Sequence, residues 1–323
     1  MAATNVAAAG ALLPLRVIAF DGGWNLPIWA AQRQGFFAAQ GVAVTLSFTP
    51  NSVALITGLI EGRFDIAMAG FDNIVACQEG QGEAATAAEP DLFAFMGGDD
   101  GFLSVVTAPG VGGFDALRGK TLSVDAMTNG FAFVLRELVE RSGLAESEVT
   151  YVRAGATQAR YQDLVAGRHD GTLLRTPFEL LAKAQGCQVI ATAASLGPYQ
   201  GSVGAARRSW AHANEAALIG YMRGYRQALD WLYDPANRAV AEALLVAHIR
   251  DMTPALARES CARLLAAEGG LFRDLALDLA GVRAVLALRS KFGRPQKRLD
   301  DPSPYIDLEF HAKAFGPQSA RAP

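Results

Sequence analysis

With 323 residues and 51% hydrophobic residues, the chain is long enough for one large or two medium hydrophobic cores. Its net charge is −3 and it has no Lys- or Arg-rich tract, which argues against nucleic acid or an anionic membrane as a partner. No apolar stretch of about 18 residues is free of charge, so we expect no transmembrane helix. The three cysteines have no zinc or redox spacing, and we expect them to be small buried hydrophobic residues.

The first half of the chain alternates strands with helices. Residues 1–14 are small and apolar and are expected to form a loose leader. Asn25 is expected to cap a first helix that Gly35 ends, and a second helix is predicted over 52–61, where Gly62 stops it. The strands predicted here are 15–20, 42–48, 64–69 and 92–96. Each ends in small or polar residues, which in an open α/β sheet line the crevice where ligands bind.

A second unit with the same rhythm follows a glycine-rich turn after Pro109. An extended segment predicted over 102–107 leads into that turn. The predicted strands of the second unit are 121–124, 149–152, 169–174 and 189–193, and its predicted helices are 130–142, 157–167 and 178–185. From residue 209 onward the pattern is helical, with predicted helices 209–234, 237–249, 254–268 and 275–292. These helices are expected to pack back on the first unit, so that the chain crosses between the two units twice.

Several short segments resemble one known family in their order and spacing. They are Pro27, Trp29-Ala30, Gly35-Phe36-Phe37, 41–44, Asn51-Ser52, 59–66, 117–120, 164–170 and Pro177. Together they resemble the taurine, alkanesulfonate and thiamine-pyrimidine group of solute-binding proteins from bacterial ABC transporters. The resemblance covers about residues 15–240.

This resemblance implies an α/β protein with the type II periplasmic-binding-protein fold. It implies two α/β lobes joined by a two-segment hinge, near 104–108 and 201–205, with a ligand between the lobes and hinge closure on binding. We expect lobe 1 to comprise 15–105 and 205–323, including the C-terminal helices, and lobe 2 to comprise 106–204.

Polar groups that follow the strands are the candidate ligand contacts, because helix N-termini there present unpaired N–H groups. For Asn25, Ser52 and Thr157 the alternative is ordinary helix capping. Trp24 and Phe71 are candidates for an aromatic wall, with ordinary packing as the alternative, and Tyr199 is a candidate lid residue or a surface turn. The full set is Asp21, Trp24, Asn25, Asn51, Ser52, Gly70, Phe71, Asp72, Asp125, Thr128, Asn129, Thr157, Arg175 and Tyr199.

Carboxylates outnumber arginines in these loops, so a bare oxyanion fits poorly and a ligand with an amine, amidine or hydroxyl groups fits better. We therefore expect a small aromatic or heterocyclic solute that carries both donors and acceptors. Asp65 and Asp170, each shortly after a helix-ending glycine, are interpreted as structural. His169 is interpreted as a solvated loop histidine.

The favoured function is a non-enzymatic solute-binding protein of an ABC importer, with a membrane permease as partner, no cofactor, no metal site and no catalytic residue. We expect it to be monomeric and periplasmic, as a mature chain whose signal peptide has been removed. An enzyme on the same fold is the alternative, either like the thiamine-pyrimidine synthases or a decarboxylase. The cysteine-rich iron motif of those synthases is absent. A third possibility is a cytoplasmic ligand sensor, if the gene encodes no signal.

Overall fold

The computed structural model describes residues 11–85 and 89–316, which form two five-stranded sheets flanked by helices. Most of the predicted leader lies outside the described residues, but the first strand begins at Leu13, two residues before its predicted start. The α/β class expected from the sequence is confirmed.

The elements follow the predicted alternation. The strands are β1 Leu13–Ala19, β2 Val42–Phe48, β3 Ile66–Gly70, β4 Leu92–Gly97, β5 Leu103–Thr107, β6 Thr121–Val124, β7 Thr150–Arg153, β8 Gly171–Arg175, β9 Gln188–Thr192 and β10 Ser202–Arg207. The helices are α1 Leu26–Gln34, α2 Phe36–Ala39, α3 Ser52–Ile60, α4 Phe71–Gln78, α5 Gly130–Arg141, α6 Thr157–Val165, α7 Phe178–Ala184, α8 Arg208–Ala213, α9 Glu215–Tyr233, α10 Arg238–His248, α11 Pro254–Leu264, α12 Leu279–Phe292 and α13 Glu309–Phe315.

The two sheets have the same topology. The first has the order β2-β1-β3-β10-β4 and the second has the order β7-β6-β8-β5-β9. In each, the fourth strand is antiparallel to its neighbours and belongs to a segment that arrives from the other half of the molecule. The other paired strands run parallel, so their carboxyl ends meet at one edge of each sheet. The candidate loops therefore gather where the two sheets face each other.

The sequence did not predict strand β10. It predicted that the second crossing between the two units lies at these residues. The strand contains Gly204, Ala205 and Ala206 and lacks the β-branched or aromatic pattern that usually marks a strand. The small residues have a packing reason. A Cβ on Gly204 would lie 2.7 Å from the ring of Phe95, so the neighbouring aromatic side chain occupies that space.

The crossings between the sheets differ from the predicted hinge. The predicted segment 104–108 lies mostly within β5, and most of 201–205 lies within β10. The connections run instead through 98–102 and 193–201, so residues 103–105 belong to the second sheet and 202–204 to the first. The two connections contact each other, since Gly201 N–H donates to the Asp99 carbonyl at 2.9 Å.

The C-terminal helices pack back on the first half, as expected. Helix α9 packs against α1 and α2, whereas α12 contacts α4 of the first half and α5 of the second. Helix α12 begins at Leu279 and not at the predicted residue 275, because Leu275 adopts a φ of 58°, which a helix cannot contain. Among the described residues no helix combines the length and apolar character needed to cross a membrane.

Candidate functional site

A cavity lies between the carboxyl ends of the two sheets. Its empty space is about 480 Å³, counting the part that is open to solvent. Both halves of the molecule contribute to it. The lining residues are Phe20, Trp24, Met68, Ala69, Gly70, Asp72, Asn73, Asp125, Asn129, Gly130, Phe131, Thr157, Arg160 and Arg175. We call this space the central cavity.

At one end of the central cavity an arginine is paired with a carboxylate. Arg175, at the end of β8, is buried and its Nη2 donates to both oxygens of Asp99, at 2.8 and 2.9 Å. Its guanidinium carbon lies 3.9 Å from the centre of the Trp24 ring, and the Trp24 Nε1–H donates to the Phe20 carbonyl. Because a carboxylate pairs with Arg175 and the guanidinium covers the indole, this end presents little free charge.

A second buried pair joins the two halves beside the cavity. Arg289 of α12 is fully buried and donates to both oxygens of Asp72 at 2.6 Å. The same Nη2 also donates to the Thr128 carbonyl, which belongs to the other half, at 2.6 Å. The Gln81 side chain accepts from Nη1 at 3.3 Å. We call Asp72, Gln81, Thr128 and Arg289 the junction cluster. Its guanidinium is satisfied by a carboxylate and by neutral acceptors.

Gly130, the first residue of α5, lies directly against the first half of the molecule. A Cβ at this position would lie 2.4 Å from Asp72 Cβ and 2.9 Å from the Tyr199 hydroxyl. Only glycine allows this approach, so the two halves are in direct contact here.

Asp125 is a polar residue that the second half contributes to the lining of the central cavity. Its Oδ2 accepts from the Ser52 backbone N–H at 3.1 Å, across the junction, and from the Asn129 amide at 3.0 Å. Its Oδ1 is buried and has no hydrogen-bond partner within the described ranges. Asn129 is committed elsewhere, because its Oδ1 caps α5 by accepting from Ala132 N–H. Asp125 Oδ1 is therefore an acceptor available to a ligand.

Arg160 is a positively charged residue in the lining of the same cavity as Asp125. It lies in the first turn of α6, is 3% exposed, and donates to the Gly155 carbonyl, the Thr157 hydroxyl and the Leu173 carbonyl. All three acceptors are neutral, and across 11–85 and 89–316 no carboxylate forms an ion pair with it. Burial lowers the pKa of Arg160 to about 10, while the charge of Asp125 acts in the opposite direction, so the guanidinium stays positive near neutral pH.

An adjoining cavity of about 430 Å³ shares Asn73 and Asn129 with the central cavity. Ser52 and Thr128 line it, together with Glu83. The Glu83 carboxylate accepts from the Thr128 hydroxyl at 3.2 Å and pairs with Arg153 at 2.9 Å. The cleft therefore continues from the central cavity toward a polar rim.

The structure gathers most, but not all, of the sequence-predicted site residues. Those that line the central cavity are Trp24, Gly70, Asp72, Asp125, Asn129, Thr157 and Arg175. Ser52 and Thr128 line the adjoining one. Tyr199 is buried and lines a different cavity, with Asp100, while its ring lies 6.3 Å from that of Phe131 in the wall of the central cavity.

Besides Tyr199, four predicted residues line neither part of the cleft. Phe71 is fully buried, so it forms no aromatic wall. The Asn51 side chain caps α3 by accepting from Ala54 N–H. The Asn25 amide does not cap α1 and instead donates to the Phe20 and Gly22 carbonyls. Asp21 lies in the loop before α1, where burial raises its pKa.

The residues that sequence reasoning missed are mainly apolar rings and one arginine. Phe20 follows β1 and Phe131 lies in the first turn of α5, and both are half-buried in the cavity wall. Phe131 directly follows the Asn129 cap and Gly130, which is the signal that could have indicated it. Arg160 offers no such signal, because it has the sequence appearance of an exposed helical arginine.

His169 is not a solvated loop residue, as the sequence suggested. It is buried, and its Nε2 lies 2.9 Å from the Ser123 Oγ, which is also fully buried. Burial lowers the pKa of His169, so the ring is neutral near pH 7. Neither residue lines a cleft cavity, so this serine and histidine pair belongs to the packing of the second sheet.

One cysteine, Cys77, lines the adjoining cavity. All three cysteines are free, and burial raises the pKa of each thiol, that of Cys77 to about 11. In the part of the chain that the structure describes, no group of His, Cys, Asp and Glu side chains could hold a metal ion.

Residues 23–246, more than half of the chain, match the NMT1-like family. The chain belongs to the NMT1-like family. This confirms the resemblance drawn from the short segments, which lie mostly in the same region.

Solved structures with the same fold include solute-binding proteins, and the likeness confirms the periplasmic-binding-protein fold expected from the sequence. The periplasmic nitrate-binding protein NrtA from Synechocystis PCC 6803 has a TM-score of 0.79 and 11% identity, over 97% of this chain and 91% of its own. The alkanesulfonate-binding protein SsuA from Xanthomonas axonopodis pv. citri, bound to MOPS, has a TM-score of 0.73 and 17% identity, over 93% and 99%.

A third similar structure is the zinc-bound ligand-binding component of an ABC-type import system from Staphylococcus aureus. It has a TM-score of 0.75 and 12% identity, over 94% of this chain and 100% of its own. At such identities the likeness establishes the shared fold. A comparison with curated protein sequences gives no match.

Proposed function

We propose that this NMT1-like protein is a non-enzymatic solute-binding protein that captures a small organic molecule between two lobes and presents it to an ABC permease. The observation that carries the proposal is the central cavity itself. It lies at the carboxyl ends of both sheets, and both halves line it. Ligands of open α/β sheets bind at this edge.

The lobes of the proposal follow the sheets. Residues 103–192 form the second lobe, and the chain on either side of them forms the first, including the C-terminal helices. Only the segments 98–102 and 193–201 connect them. A pair of short crossings supports hinge opening and closure, which would admit the solute and then enclose it.

The charges around the cavity refine the expected solute. Of the carboxylates that the sequence brought to the cleft, Asp72 and Asp99 are paired with arginines, and Asp100 lines a different cavity. Asp125 remains as a free acceptor and Arg160 as a free cation. This balance supports a small aromatic or heterocyclic solute with both donors and acceptors.

The same function implies a location and an assembly state. Presentation to a membrane permease places the protein in the periplasm, and lobes that hinge freely favour a monomer. Size-exclusion chromatography checks the second point, because an obligate dimer that covers the cleft would contradict the proposal.

A thermal-shift panel tests the proposal directly, using amines, pyrimidines, aromatic acids, amino acids and sulfonates. A solute that binds only the folded protein raises its stability by about 2.7 kcal/mol at a hundredfold excess over Kd. We expect one chemical class to raise the Tm and the compound to be recovered unchanged. Conversion of the compound would instead support an enzyme on this fold.

A pair of glycine variants tests whether closure is needed for binding. In Gly130→Ala the new methyl group would meet Asp72 across the junction, so we expect the fold to persist and the affinity to fall by about tenfold or more. Gly113→Ala is the matched control, because its Cβ would point into open space in the second lobe. Equal affinities for the two variants would contradict binding by closure.

A further inference from the structure

The three arginines nearest the cleft differ in one respect. Arg175 and Arg289 each donate two hydrogen bonds to a carboxylate. Arg160 is buried to a similar degree but donates only to two backbone carbonyls and a hydroxyl. A buried cation that no carboxylate contacts is costly. The charge of Asp125 acts on Arg160 from the same cavity but forms no ion pair with it, so the position suits an anion that is supplied from outside the chain.

The surroundings of Arg160 provide further donors for the same anion. Helix α6 begins at Thr157, which also lines the central cavity, and no side chain caps its N-terminus. The first-turn N–H groups of an uncapped helix attract negative charge. By contrast, Asn51 caps α3 and Asn129 caps α5, so those two termini are already satisfied. The anion-favouring end of the cavity is therefore at α6.

The apolar part of the cavity is aromatic and comes from both lobes. Phe20 follows β1 of the first sheet, Phe131 lies in α5 of the second lobe, and both rings are half-buried in the wall. Trp24 is less suited to this purpose, because it is only 4% exposed and the Arg175 guanidinium lies 3.9 Å from its ring, against 5.7 Å for the Phe131 ring. Two partly exposed rings, one from each closing lobe, suit a flat apolar ligand between them.

We infer that the solute is an aromatic or heteroaromatic acid whose acid group pairs with Arg160 and whose ring lies between Phe20 and Phe131. The inference rests on the proposed solute-binding function and names its substrate class. Asp125 Oδ1 and the Asn73 amide lie in the same cavity, where they would meet a donor or acceptor on the ring. Guanidinium pairs with a carboxylate through two parallel hydrogen bonds, which fixes the direction of the ring.

The test uses matched probes that differ in one feature each. Benzoate, 4-aminobenzoate and nicotinate are compared with their uncharged amides, benzamide, 4-aminobenzamide and nicotinamide. Cyclohexanecarboxylate has the acid without the aromatic ring, and nitrate and methanesulfonate are anions without any ring. Titration calorimetry on the full chain gives each Kd. We expect at least one aromatic acid to bind about tenfold or more tightly than its amide and than the ringless anions.

Variants then assign the preference to its residue. In Arg160→Gln the acid-over-amide preference should fall to about one, whereas Arg160→Lys, which keeps the charge, should retain part of it. Arg136→Gln, outside the central cavity, is the control and should keep the full preference. Phe131→Leu should reduce the preference for benzoate over cyclohexanecarboxylate. A purely structural role of Arg160 would weaken acid and amide equally.

The outcomes separate this inference from the function on which it rests. An undiminished acid preference in Arg160→Gln overturns the inference, and so does a panel in which no aromatic acid binds. If another solute class then binds and is recovered unchanged, the solute-binding function stands without the inference. Chemical conversion of a bound probe overturns the function itself.

Discussion

The junction of the two lobes has two contrasting regions, the junction cluster and the α6 end of the central cavity. In the junction cluster, Arg289 is fully buried and bonded to the Asp72 carboxylate as well as to neutral groups of both lobes. At the α6 end, Arg160 is almost as buried but has no carboxylate partner. The first arginine links the two halves through a carboxylate and a carbonyl, whereas the second, bonded only to neutral groups, is the one that we propose for a ligand.

The largest expected effect comes from removing each arginine in turn. Arg289→Met strands the Asp72 carboxylate in a buried site, so we expect a loss of about 3–5 kcal/mol in the free energy of unfolding. Arg160→Met strands no carboxylate, and its loss should be smaller by about 1 kcal/mol or more. Urea unfolding of the two variants beside the parent chain measures both values. Equal losses of unfolding free energy in the two variants would contradict the difference that we infer between Arg289 and Arg160.

Two neighbouring carboxyl groups in the first crossing, 98–102, show the same contrast between a paired and an unpaired charge. The pH dependence of stability tests this contrast. Asp99 is paired with Arg175, whereas burial raises the pKa of Asp100 from 3.8 to about 6, with the charge of Asp99 adding to the shift. Because the folded protein holds this proton more tightly than the unfolded chain, Asp100 contributes stability below about pH 4 that is lost as the pH rises through about 6. The backbone N–H of Phe102 and the charge of Arg175 oppose the shift.

Asp100→Asn should therefore stabilise the protein near neutral pH by on the order of 2 kcal/mol and add nothing below about pH 4. Asn keeps an acceptor for the Phe102 N–H, so the turn is preserved. Asp99→Asn is the contrasting variant and should destabilise the protein, because Arg175 loses its partner. Denaturant midpoints across this pH range check both signs. A gain from Asp100→Asn that is the same at every pH would argue against titration of Asp100.

The smallest effect on stability is expected from an exposed set of ion pairs between α12 and α5. Lys291 of α12 pairs with Glu137 at 2.7 Å and Glu140 at 2.6 Å on α5, but its side chain is 45% exposed. Lys291→Ala should cost no more than about 1 kcal/mol, and the difference should shrink at high salt. Arg298→Ala removes a local exposed pair and serves as control. Chemical unfolding at low and high salt measures both, and a larger cost that salt does not change would place Lys291 with the junction cluster.

The sequence predicts the elements that obey local rules. Glycines after helices, polar residues after strands and alternating apolar runs place most strands and helices close to their observed positions. Asp65 and Asp170 also have the structural role expected of them. Asp65 accepts from Arg16 N–H in the first lobe, and Asp170 accepts from Thr121 N–H in the second, so each ties the edge of one strand to the next.

What the sequence could not predict depends on contacts between distant parts of the chain. Strand β10 is made of small residues because of the neighbouring Phe95, and this requirement is invisible locally. The inward direction of Arg160 depends on how α6 is rotated against the second sheet. The burial of Phe71 and Tyr199 likewise follows from packing between elements. The position of the cleft was therefore predictable, whereas the charge balance of its lining was not.

The place of β10 in the first sheet has a consequence for the order in which the protein is built. This strand lies between β3 and β4, yet it is encoded after the whole of the second sheet. While the ribosome is still translating residues 103–192, the nascent first sheet has a gap where β10 will insert, and β4 has no partner on that side. All five strands of the second sheet lie within one continuous stretch of the chain, 103–192, so we expect this sheet to be completed first. The lobe that starts first during translation is then the last to be finished.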